Sequence, residues 1–75
     1  MAEQIEYVVI IHEAEEGGYW SEVAGLLGAG SQGETIDETI AQTKESIEAV
    51  LQVMRERGEK VSPPNDIVVK VQVAA

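Results

Sequence analysis

Cysteine is absent from the 75 residues. No disulfide staples the chain, and no thiolate is on hand for a metal. Histidine occurs once, as His12, and one imidazole cannot build a histidine-based metal site. Basic residues are scarce, five against fourteen acids, for a net charge of −9. Phosphate backbones would be repelled, so direct nucleic-acid binding is not expected. A basic partner suits this charge, and so does solubility alone. No apolar run approaches the roughly 18 residues of a membrane span. The start, Met1-Ala2-Glu3-Gln4, lacks the basic region and apolar run of a signal peptide, which points to the cytoplasm. Length is short as well. Residues 1–75 make one domain that buries only about 60–65% of its unfolded surface. Such a core rarely supplies more than roughly 3–5 kcal/mol, and association is the common remedy when disulfides are missing.

What is present is organised around Gly28 to Arg57. Thr35 is an N-cap candidate, and Glu38 completes a T-x-x-E capping box. Glu34, Asp37 and Glu38 put negative charge where the helix macrodipole is positive. Ile36, Ile40, Ile47, Val50, Leu51 and Met54 recur at helical spacing, with Thr43 filling the gap in the stripe. Arg55, Arg57 and Gly58 form a helix end.

Strands should cover that stripe. Ile5 to His12 is apolar on both faces, as in a central strand. Glu13 to Gly18 is a polar turn ending in two glycines, and Tyr19 to Ala24 returns. A glycine-broken stretch leads to a short third strand near Ala29 to Gln32. After the helix, Gly58 to Asp66 is a loop. Ile67 to Val73 alternates cleanly, with Ile67, Val69, Val71 and Val73 facing inward. The expected fold is α+β, in the order β-β-β-α-β, with one helix on one face of a small mixed sheet. A helix crossover between parallel strands should be right-handed. No second helix covers the other face, where Val8, Ile10 and Trp20 would lie. An uncovered apolar face usually means a partner.

Few constellations suggest chemistry. Gly28-Ala29-Gly30-Ser31-Gln32-Gly33 spells G-x-G-x-x-G. A dinucleotide site needs the helix to open within the motif, but the cap falls later, at Thr35. The acidic residue expected after a following strand is missing too. A glycine-rich strand and turn is the simpler account. His12 has no identifiable nucleophile beside it and more naturally pairs with Glu13 or Glu22. Glu13, Glu45, Glu48 and Asp66 can be gathered into a two-metal list, yet the helix acids lie off the apolar stripe. Neither a catalytic set nor a cofactor or metal site is expected. Trp20 is the more informative side chain, because tryptophan is favoured at interface hot spots.

Several runs resemble a known family. These are Tyr19 through Val23, Gly25-Leu26-Leu27-Gly28, Ser31-Gln32-Gly33-Glu34-Thr35 with Asp37-Glu38, and Lys44-Glu45-Ser46-Ile47. Together they resemble the HicB antitoxin N-terminal domain over nearly the whole chain. Ala24 and Leu27 replace usual prolines, Ala29 a frequent cysteine and Thr39 a common alanine, so the proline turn is looser here. The resemblance implies a partial RNase H-like fold with strand order 3-2-1-4 and no nuclease activity. It also implies a homodimer or tetramer, and neutralisation of a small basic HicA-type RNA-cleaving toxin. Family members often carry a C-terminal DNA-binding module. This sequence ends with the last strand, so operator binding by the chain itself is not expected.

Two functional readings follow. One is a non-catalytic, antitoxin-like module that binds a basic toxin. The other is an orphan domain of the same fold that self-associates or serves another regulatory partner. The interface residues expected in either case are Trp20, Glu22, Leu26 and Leu27.

Overall fold

The computed structural model describes residues 4–61 and 67–74. It contains strands β1 (Val9–Glu13), β2 (Tyr19–Val23) and β3 (Gln32–Gly33), then helix α1 (Ile36–Glu56). The fold is α+β. β1 and β2 form an antiparallel hairpin in which Ile10 faces Glu22 and His12 faces Trp20. Its turn is closed by the Ala14 N–H on the Gly18 carbonyl at 3.0 Å and the Gly17 N–H on the Ala14 carbonyl at 3.1 Å. β2 also pairs antiparallel with β3, giving the order β1-β2-β3.

β1 begins at Val9 rather than Ile5, although exposure still alternates from Gln4 through Ile10. β3 is only two residues long and starts at Gln32. It is short because the chain must turn at once into the helix cap.

Helix α1 starts and stops where its local signals place it. The Thr35 side chain accepts the Glu38 N–H at 3.0 Å. At the other end Gly58 has a φ of 74°, which glycine adopts without strain. Its N–H donates to the Arg55 carbonyl at 3.0 Å, and the Glu59 N–H donates to Met54 at 2.8 Å. That pair of bonds is a Schellman motif.

The helix face is where pattern and packing part. Ile47, Val50, Leu51 and Met54 pack on the buried Val23, Leu26 and Ala29, as the stripe predicts. In the first half, the fully buried side chains are Thr39 and Thr43, while Ile36 and Ile40 are about half exposed. Backbone proximity explains the rotation. A Cβ on Gly33 would stand 2.8 Å from the Thr39 nitrogen and 2.9 Å from its Oγ1. The gap between helix and sheet is too narrow there for isoleucine.

The expected last strand differs most. Residues 67–74 form no strand pairing within this chain, and every one of them is exposed. Ile67 is 89% exposed and Val73 81%. The three-stranded order reproduces the 3-2-1 part of the expected sheet. No described residue occupies the fourth position, beside β1. Asp66 lies outside the described residues.

Candidate interaction surface

Alternation along β1 and β2 sorts their side chains between two faces. Val9, Val23 and Ser21 turn toward α1. Val8, Ile10, His12, Trp20 and Glu22 turn the other way. No element covers that outer face among the described residues, and Val8, Ile10 and Trp20 are each roughly 40–45% exposed. The outer face is therefore as apolar and open as the strand pattern predicts.

Its centre is built by the hairpin register. His12 and Trp20 lie directly opposite one another. Their rings stack with centroids 4.1 Å apart and planes 23° from parallel. One place further along β2, Glu22 reaches back, and its Oε2 lies 2.7 Å from His12 Nε2. Trp20 is thus held from below by imidazole, which is in turn held by a carboxylate. An aromatic side chain ordered in this way loses little conformational freedom on contact with a partner.

The reverse of β2 is held by a chain of hydroxyls. The Ser31 N–H donates to Ser21 Oγ at 2.9 Å. Ser21 Oγ lies 2.6 Å from Thr43 Oγ1, which donates to the Thr39 carbonyl at 2.6 Å. Thr43 has one proton, so Ser21 is the donor between the two. Thr39 Oγ1 donates to the Thr35 carbonyl at 2.7 Å. No buried side-chain polar atom among the described residues lacks a partner. The sheet that carries Trp20 is therefore tied to the helix start by fully satisfied bonds.

The four expected interface residues separate. Trp20 and Glu22 share the outer face. Leu26 does not join them: at 9% exposure it belongs to the core with Val23 and Ala29. Leu27 is 98% exposed, on the turn after β2. The loop of Gly25 and Gly28, both at positive φ, lets these neighbours point oppositely. The sequence left His12 to pair with either Glu13 or Glu22 and did not place it under Trp20. Only the register shows that, and a one-residue shift would remove it.

Charge is segregated along the chain. No Lys or Arg precedes Lys44, whereas nine acids do. The sheet and its turns therefore carry carboxylates, and the cations sit on the helix and beyond. No cluster of three or more metal-type ligands occurs among the described residues. No helix among them is long and apolar enough to cross a membrane.

Comparison with known proteins places these features. Residues 7–74 match the HicB-like antitoxins of bacterial toxin–antitoxin systems. A UPF0150 protein of Synechocystis sp. is 40% identical over 47 residues, 63% of this chain and 65% of that relative. The chain thus spans just under two thirds of that relative's length. A UPF0150 protein of Thermoplasma acidophilum is 34% identical over 61 residues, 81% of this chain and 88% of the relative.

Proposed function

Because the chain belongs to the HicB-like antitoxin family of bacterial toxin–antitoxin systems, we propose that it is a non-catalytic cytoplasmic module that neutralises a small, basic, HicA-type RNA-cleaving toxin. The observation that carries the proposal is the outer sheet face. It presents Val8, Ile10 and the His12-braced Trp20 in an acidic setting. Apolar contact there supplies affinity, and the surrounding carboxylates favour approach of a cationic partner. Trp20 and Glu22 are the contact residues on this face, and Leu27 is a second, separate contact. Catalysis is not part of the role, because His12 is engaged with Glu22 and Trp20 rather than beside a nucleophile.

The test is co-expression with any small basic reading frame that adjoins the gene, followed by affinity purification and gel filtration; the absence of such a frame counts against toxin neutralisation. A stable complex in which the toxin no longer cleaves RNA is expected. A neighbour that is present but neither bound nor silenced would reject toxin neutralisation. It would favour the orphan reading, in which the chain serves another regulatory partner.

A further inference from the structure

The chain holds one tryptophan and one histidine, and the hairpin register sets them against each other. Binding alone does not require that pairing, since an aliphatic neighbour would support an anchor as well. Here the neighbour is the side chain type whose charge changes between about pH 5 and 8. Its Nε2 lies 2.7 Å from a carboxylate oxygen, Glu22 Oε2.

Few other groups act on that proton. On the outer side of β1 the next residue is Ile10. Across from it on β2 are Trp20 and Glu22, and Gln32 of β3 lies beyond Trp20. Helix α1 packs on the opposite face, and Glu13 points to that side by alternation. Neither Glu13 nor Glu15 or Glu16 of the turn forms an ion pair with the ring; among the described residues its one such partner is Glu22. No Lys or Arg occurs in β1, β2 or β3.

The two protonation states therefore differ in kind. As imidazolium, His12 donates a charge-assisted hydrogen bond to Glu22. It also sets a cation against the indole, with ring centroids 4.1 Å apart. Trp20 is then pinned, and the Glu22 charge is answered inside the chain. As neutral imidazole, His12 keeps the stack but loses the ionic part of both contacts. We propose that His12 is a proton-dependent positioning residue: protonation locks Trp20 and occupies Glu22, and deprotonation loosens Trp20 and leaves Glu22 open to a cation brought by a partner.

Both effects reach the same contact, but unequally. The lock orders one side chain. The proton sets positive charge at the centre of the patch that a basic partner must approach. Contact with such a partner therefore weakens as pH falls through the imidazole range. This consequence rests on the toxin-binding reading, whereas the brace belongs to the free chain.

The test uses the free full chain, whose single tryptophan gives one emission signal. An imidazolium in contact with indole quenches its fluorescence. Emission should therefore drop in one step as pH falls from about 8 to about 5.5. Over that range, at constant ionic strength, the quenching constant for caesium should fall by about twofold or more, and that for iodide should rise. Caesium stands in for the partner's cation. In proton NMR, His12 Hε1 and the Trp20 indole N–H should titrate with one midpoint. His12→Phe keeps an aromatic ring against Trp20 but has nothing to titrate, and it should flatten both the emission and the caesium profiles. His12→Gln should do the same. Glu22→Gln should keep the emission step but bring caesium quenching at high pH close to its low-pH value. Flat wild-type profiles would overturn the proposal, as would profiles that persist in His12→Phe and His12→Gln. Either result would leave toxin neutralisation standing, and a failed co-expression would leave the brace standing.

Discussion

At the scale of the residue, two side chains decide most. Trp20 lies on the surface, so its removal should cost binding far more than folding. Trp20→Ala is expected to weaken toxin binding by about 1–2 kcal/mol, some fivefold to thirtyfold in Kd. Isothermal titration measures this, and an unchanged circular dichroism spectrum shows that the fold survives. An unaltered Kd would take Trp20 out of the contact. Thr43 is the opposite case. It is fully buried, donates to the Thr39 carbonyl and accepts from Ser21. Thr43→Val keeps the shape but deletes both bonds. Ser21 Oγ retains the Ser31 carbonyl at 3.3 Å as an alternative acceptor. The loss should therefore stay at about 1–2 kcal/mol, read from the urea midpoint at constant slope.

At the scale of the element, α1 is the clearest case of local signals placing structure. Its cap, its acidic first turn and its Schellman end each depend on residues within one turn. Which face it buries depends instead on residues distant in sequence. Gly33 brings the sheet backbone against the helix start, where the buried side chains are Thr39 and Thr43. The apolar periodicity of Ile36 and Ile40 gave no sign of this, since small residues in the gap read as spacers. Gly33→Ala tests the close approach. Its methyl group meets backbone and hydroxyl at under 3 Å, so helix and sheet must separate. A loss of about 2–3 kcal/mol is expected by chemical denaturation. A neutral effect would show that the elements part freely.

The whole molecule is small, acidic and open on two sides. One opening is the outer sheet face, the other the groove between the free edge of β1 and α1. The outer face was legible in the strand pattern, because Val8, Ile10 and Trp20 fall on one side by alternation alone. The groove was not, because the last strand was expected to occupy it. Charge segregation also acts at this scale. With every Lys and Arg at or after Lys44, the sheet's carboxylates would draw in a basic partner of the kind proposed by long-range attraction. Raising salt from about 0.05 M to about 0.5 M should slow toxin association by about tenfold and change dissociation much less. Stopped-flow kinetics would show this, and a salt-independent association rate would assign binding to apolar contact alone.

By itself the amino-acid sequence determined the hairpin, the helix with both its ends, the in-and-out parity of the strands and the net acidity. Each is set by contacts within a few residues or by composition. Tertiary structure decided which half of the helix stripe is buried, that Leu26 turns into the core while Leu27 turns out, and that His12 lies under Trp20. It also left residues 67–74 in no strand pairing with the other described residues. Those outcomes depend on how closely distant backbones approach and on which edges remain unpaired. Neither quantity is encoded in the periodicity of a single segment.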